Sequence, residues 1–299
     1  MVDRQEARSY RIIEAPSVLG LKPTGVERLA ERLLREGLAE RLQAEVVARV
    51  DAPPYSATRD PESLTLNTQA IAEWSPRLAD AVAAVLAAGG FPLILGGDCS
   101  IVLGPMLALR RRGRYGLLFI DGHADFYQPE VNPNGEAASM DLAFATGRGP
   151  ERLTNLEGLR PLVRDADVFA FGFRDGAEQA QYGSQPLPSA LRALDLASVR
   201  RLGIAEAARQ AVAHVARDTL DGFFIHVDAD CLDDAIMPAV DYRLAGGLSA
   251  AELVVVLQTA LASGHAVGLE ITIYNPALDT DGSAGRMLTD VLVAGLASS

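Results

Sequence analysis

Three short segments of the chain hold residue types that hydrolytic chemistry uses, and each follows an apolar run. PLIL leads into Gly96-Gly97-Asp98-Cys99-Ser100, GLLFI into Asp121-Gly122-His123-Ala124-Asp125, and GFFIHV into Asp228-Ala229-Asp230. Side chains alternate along an extended strand, so D-x-H-x-D just past a strand aims three ligands one way, and D-x-D aims two. If the two strands are near neighbours, four carboxylates and one imidazole converge. Four carboxylates in one pocket repel strongly unless cations neutralise them, and divalent metal is the simplest resolution. Oxygen-dominated ligation with one imidazole suits a hard or borderline ion such as Mn²⁺. Carboxylates bridging two ions would make a two-metal centre, which lowers the pKa of a water held between the ions and presents a hydroxide nucleophile. A D-x-D after a strand is also a common cap or turn. Both motifs together, each closing a buried strand, favour a metal site.

Such residues need a frame that brings strand ends together. The sequence predicts strands over 10–14, 92–95, 116–120, 167–171, 222–227 and 265–273, and helices over 25–50, 68–88, 101–111, 140–147, 205–219, 250–263 and 285–297. Runs such as GLLFI are continuously apolar, the pattern of strands buried on both faces of a parallel sheet. The β-α alternation points the same way. The expectation is a single α/β domain over 1–299, a three-layer α/β/α sandwich around a mostly parallel sheet. In such sheets ligands gather beyond the carboxyl ends of the strands. Polar stretches at 51–67 and 128–138 read as surface loops.

Composition narrows the function. The formal net charge is -12 over 299 residues. An acidic protein repels phosphate backbones and anionic lipid, which argues against nucleic-acid and membrane-surface binding. Two cysteines, Cys99 and Cys231, make no disulfide framework. The first residues, MVDRQEARSY, lack an apolar signal core, and no apolar run suggests a membrane span, so a cytoplasmic location is expected.

The segments resemble the ureohydrolase family of arginase, agmatinase and formiminoglutamase. The order GGDCS, DGHAD, FGFRD (171–175), HVDADCLDD (226–234), GGLS (246–249) and YNP (274–276) is similar to that family's motif series. The resemblance implies two divalent ions, Mn²⁺ before others. One ion would take Cys99, Asp121, Asp125 and Asp228. The other would take Asp121, His123, Asp228 and Asp230. It also implies Asp125 as the group that orients the nucleophile, a small guanidino or amidino substrate, hydrolysis of its C–N bond, and a homo-oligomer.

Departures from that series bear on substrate. Cys99 stands where the family has a metal-binding His. A thiolate is softer than imidazole and favours Zn²⁺, Fe²⁺, Co²⁺ or Ni²⁺; the alternative is a buried apolar Cys beside a weakened site. Ligation is expected, because the flanking residues are intact. Ala138 falls where arginases carry a proton-shuttling His, and Tyr127 where the family has an Asn that holds an α-carboxylate. The Asp that helps hold the α-amino group falls near Ala177. Ile273 replaces the Glu that grips the guanidinium, unless a one-position slip puts Glu270 in that role. These changes predict a metal-dependent hydrolase that is not a standard arginase. The alternatives are a hydroxyarginine-type amidinohydrolase and a catalytically silent metal-binding relative. His226 is expected to be a satisfied core histidine rather than a partner of a ligand, and Cys231 a packing residue without a disulfide to Cys99. Arg148 and Arg243 flank the loops and could bind an anionic group.

Overall fold

The described residues form eight short strands, six of which carry the apolar runs. In chain order they are β1 (Tyr10–Glu14), β2 (Glu45–Arg49), β3 (Phe91–Leu95), β4 (Gly116–Ile120), β5 (Val168–Phe171), β6 (Arg192–Leu194), β7 (Phe223–Asp228) and β8 (Ala266–Thr272). The computed structural model describes residues 8–297; the first seven residues, most of the polar N-terminal stretch, and the last two lie outside it. The strands form one sheet in the order β2-β1-β3-β8-β7-β4-β5-β6, with every neighbouring pair parallel.

Both faces of this sheet are covered, which is why its central strands read as unbroken apolar runs. Ile12, Leu93, Leu118 and Ile225 face a layer formed by helices Leu29–Arg35, Ile204–Val215, Ala250–Ala262 and Ser283–Leu296. Ile13, Ile94, Phe119 and Phe224 face the opposite layer, led by helices Thr68–Ala87 and Leu103–Arg110. These side chains are almost fully buried, each stabilising the fold by roughly 1.5–3 kcal/mol. The three-layer α/β/α expectation holds.

Two elements depart from the sequence reading. The predicted helix over 25–50 breaks at Gly37, which has φ 82°, and at Gln43, which has φ 53°. The chain then turns into edge strand β2, whose side chains are mostly exposed. An exposed strand lacks the apolar alternation that reveals a buried one, and its stability comes from pairing with β1 alone. The other edge strand, β6, spans three residues and is invisible for the same reason.

The sheet order sets the site. β3, β8, β7 and β4 are its four central strands, so the three ligand-bearing strand ends open at the middle of the carboxyl edge. β4 and β7 pair directly, Ile120 opposite Val227, which sets Asp121 beside Asp228.

Candidate metal centre

Backbone geometry at the strand ends aims the ligands. Asp228 is the last residue of β7, and its Oδ1 accepts from the Asp230 backbone N–H at 2.6 Å, folding D-x-D into a tight turn. Asp121 does the same for its own motif: its Oδ1 accepts from the His123 N–H at 2.7 Å. Asp230 Oδ1 accepts from the Gly122 N–H at 3.0 Å, joining the two motifs. Gly122 permits that approach, since a Cβ there would come within 2.8 Å of the same carboxylate oxygen. At the third strand end, a Cβ on Gly97 would meet the Ser17 carbonyl at 1.7 Å. The buried Asp98 caps the following turn, accepting from the Ser100 N–H at 3.0 Å, and this points Cys99 inward. Asp125 has φ 45°, a left-handed conformation that is uncommon outside glycine and concentrates at functional sites.

The sequence-predicted ligands come together. Cys99, Asp121 and Asp228 present donor atoms within 4.8 Å of one another, and so do Asp121, His123 and Asp230. His123 Nδ1 lies 2.9 Å from Asp230 Oδ2. The Cys99 thiol donates to Asp228 Oδ2 at 2.8 Å and lies 3.2 Å from the Thr272 hydroxyl. Asp125 is buried beside these groups and lines the same cavity, but it belongs to neither cluster.

Electrostatics describe a site short of positive charge. Burial pushes the Cys99 thiol well up, and the Asp228 charge adds to this. Burial and the charges of Asp121, Asp141 and Asp228 push Asp125 well above the ordinary carboxylate range. Asp228 rises through burial and then the charges of Asp230 and Asp121. Burial would also raise Asp121, but the neighbouring imidazoles of His123 and His226 outweigh it and hold this carboxyl low. Asp121 Oδ2 is nonetheless buried without a hydrogen-bond partner. An orphaned buried oxygen among acids that would otherwise take up protons fits a cation. The residues therefore suit divalent metal.

A cavity of about 200 Å³ opens onto these ligands. Cys99, His123, Asp125, Asp228 and Asp230 form its floor. Tyr127 and Ile273, the two predicted pocket residues, line it as well, and so does Ala138. Ile273 sits at φ 69°, an outlier for a β-branched residue, held by its N–H donating to the Gly97 carbonyl at 2.8 Å. Glu270 does not take its place. It points away into the core, fully buried, with Oε1 2.7 Å from His226 Nδ1.

Several residues entered the site without a sequence expectation. Asp175, from FGFRD, accepts from the Ala124 N–H at 3.2 Å, and Arg174 donates to the Asp230 and Leu244 carbonyls at 3.0 and 2.9 Å, bracing the D-x-H-x-D turn. Glu136, 1% exposed, reaches the cavity from the loop over 128–138. Its Oε2 accepts from Tyr242 at 2.6 Å and Asn134 at 2.9 Å, while Oε1 has no hydrogen-bond partner. Asp141 lies buried against Cys99 and His226. The signal for both was an acid set among small apolar residues in GEAASMDLAF.

Three expectations change. His226 is not a satisfied core histidine: its Nε2 has no partner and lies 3.8 Å from Asp121 Oδ2. Arg148 pairs with Asp165, both contacts 2.7 Å, and Arg243 pairs with Asp234; neither lines the cavity, so neither is available to an anionic group there. The expected absence of a disulfide holds: Cys99 and Cys231 are both free thiols.

Comparison with known proteins agrees with this geometry. Residues 13–298 match the model of the Arginase family. The chain is 29% identical to an arginase of Brevibacillus brevis, over 94% of this chain and 95% of that protein, and 29% identical to an arginase of Bacillus caldovelox, over 90% and 91%. The solved structure of the Bacillus caldovelox arginase superposes with a TM-score of 0.86 at 25% identity, covering 98% of this chain and 99% of the other. Sequence and fold together make this chain a member of the arginase family, hydrolases of carbon–nitrogen bonds in linear amidines.

Proposed function

We propose that this chain is a metal-dependent amidinohydrolase whose substrate is a guanidino or amidino compound other than free arginine. The observation that carries this reading is Ile273, which lines the cavity over the metal ligands where a guanidinium needs a carboxylate. An apolar wall there forfeits a charge-assisted hydrogen bond worth about 1.5–3 kcal/mol.

Asp121, His123, Asp228 and Asp230 would hold one ion; Cys99 with Asp121, Asp125 and Asp228 is the second set implied by the family likeness. Bound divalent ions, Mn²⁺ foremost and Zn²⁺, Fe²⁺, Co²⁺ or Ni²⁺ where the thiolate weighs more, would supply a water-derived nucleophile at neutral pH. Asp125 supports proton transfer, because burial and its like-charged neighbours raise its affinity for a proton where the nucleophile would lose one. Glu136 supports a changed specificity: its Oε1 has no hydrogen-bond partner, faces only the Lys22 ammonium at 3.8 Å, and offers the cavity an acceptor suited to a cationic or donor group of the substrate. A hydroxyguanidine is the second reading, favoured by the same Ile273 wall, since a head group of lower pKa needs a gripping carboxylate less.

The test is turnover of a panel of guanidino, amidino and formimino compounds by the metal-loaded protein. Turnover of at least one such compound with weak or absent arginine hydrolysis is expected. Arginine hydrolysis comparable to an ordinary arginase would sink the reading.

A further inference from the structure

Behind the metal ligands lies a second set of donors. The Cys99 sulfur, an Asp141 carboxylate oxygen and a His226 imidazole nitrogen lie within 4.8 Å of one another, all three residues buried. Eight buried side-chain N and O atoms lack a partner among the described residues, and four of them gather here: Asp121 Oδ2, Asp141 Oδ2, His226 Nε2 and Glu270 Oε2. Chance orphaning would scatter such atoms, because each costs free energy when left unpaired.

The state of His226 is the telling detail. Its Nδ1 is engaged by Glu270 at 2.7 Å, and its ring stacks on Phe119 with centroids 4.4 Å apart and an interplanar angle of 7°. The ring is thereby fixed in orientation, with Nε2 left open toward Asp121 Oδ2 at 3.8 Å. A carboxylate on one imidazole nitrogen and an open second nitrogen is how metal-bound histidines are normally prepared. Register supports this: His226 pairs opposite Glu270 across β7 and β8, two residues before Asp228, so its side chain lies on the same side as that ligand and one step deeper. Asp141 completes the set. Its Oδ1 accepts from the Leu142 N–H at 2.7 Å, leaving Oδ2 free.

We propose that the inner ion of this protein is held by Cys99, Asp141 and His226 with Asp121 Oδ2, one step deeper than the set of Cys99, Asp121, Asp125 and Asp228. One sulfur, one nitrogen and two oxygens form a four-donor shell for a borderline transition ion, Zn²⁺, Fe²⁺ or Co²⁺, rather than Mg²⁺. Donors about 2.0–2.3 Å from a common ion stand roughly 3.3–3.8 Å apart, so a small inward movement closes the shell. Cys99, Asp141 and His226 then form one unit, in which the thiolate is matched by a softer, nitrogen-containing shell. The inference rests on the metal-binding half of the proposed function and not on its hydrolytic half.

The experiment uses the full chain stripped of metal and titrated with Co²⁺ and Zn²⁺, following metal stoichiometry, affinity and the sulfur-to-cobalt charge-transfer band. His226→Asn keeps a donor for Glu270 and removes the ligand nitrogen. Asp141→Asn removes the charge of a second ligand, and Asp125→Asn tests the competing set. Circular dichroism checks that each variant folds. The expected result is two ions in the wild type, a loss of inner-ion affinity of ten-fold or more with a shifted band in His226→Asn and Asp141→Asn, and an unchanged inner ion in Asp125→Asn. Zinc absorption fine structure on His123→Ala adds a further readout: imidazole scattering persists if His226 is a ligand. Two wild-type ions with the His226 and Asp141 variants unaltered, or loss of the inner ion in Asp125→Asn alone, would overturn this inference and leave the hydrolase reading intact. A wild type that binds no ion would overturn both.

Discussion

The two halves of the ligand shell are built differently. The outer half, His123 with Asp230, lies at the cavity floor, and the His123 side chain is 17% exposed. Backbone turns at two paired strand ends hold it, and its residue types are those the family likeness implies. The inner half, Cys99 with Asp141 and His226, is buried, with Cys99 alone of the three lining the cavity, and is drawn from three separate segments. His226 answers to Glu270 and Cys99 to Asp228 and Thr272, partners distant in sequence, while only Asp141 is held by its own segment, through the Leu142 N–H. The contrast teaches that a metal site need not be kept as one unit. The half that meets substrate keeps the pattern that local strand geometry specifies, while the half facing the core is free to exchange donors as long as its neighbours exchange with it.

The largest expected effect tests whether chemistry belongs to the outer half and cavity. Asp125→Asn should lower kcat by roughly 10²–10⁴-fold on any compound the panel identifies, the usual size for a lost proton-transfer group. A loss below ten-fold would move that role elsewhere. Metal removal sharpens the contrast next. A chelator should strip the outer ion first and the buried inner ion more slowly, seen as two phases of release. At an ion concentration of about 100 times Kd, each site adds about 2.7 kcal/mol to stability, so the melting temperature should fall in two steps as well. A single phase would mean the halves act together.

Ile273→Glu addresses the cavity wall. It restores a carboxylate partner worth about 1.5–3 kcal/mol and removes a β-branched residue from φ 69°, so arginine hydrolysis should appear or rise by one to two orders of magnitude in kcat/KM. No gain would show that Ile273 does not set the substrate. The smallest effect is expected at Glu136. Burial raises its carboxyl above the ordinary glutamate range despite the Tyr242 hydrogen bond. It is charged above that raised pKa and neutral below, so affinity for a cationic substrate should fall as pH drops through a window above the ordinary glutamate range, and Glu136→Gln should flatten this profile. An unchanged pH profile in the Gln variant would remove Glu136 from substrate binding.

The strands that position the ligands were legible because burial on both faces leaves an unbroken apolar run, and the ligands because they close those runs. β2 and β6 were not, since edge strands carry no such pattern. His226 read as a satisfied core histidine, but its hydrogen bonding is set by Glu270, 44 residues away, which engages Nδ1 and leaves Nε2 open. Asp141 and Glu136 stood in a loop whose sequence shows polar residues among apolar ones but not which way they turn.

What the sequence by itself determined is therefore local: the α/β layering, the strand ends that carry Cys99, Asp121, His123, Asp125, Asp228 and Asp230, and an Ile at 273 where the family resemblance implies a carboxylate. Dihedral alternation and apolar periodicity operate over a few residues, and a single chain displays them. The tertiary structure decided which strands are neighbours, that Glu270 faces the core, that Glu136 reaches the cavity, and that Asp141 and His226 gather behind Cys99. Those facts follow from sheet order and from the packing of segments distant in sequence, which close contact at the centre of the carboxyl edge brings within bonding reach.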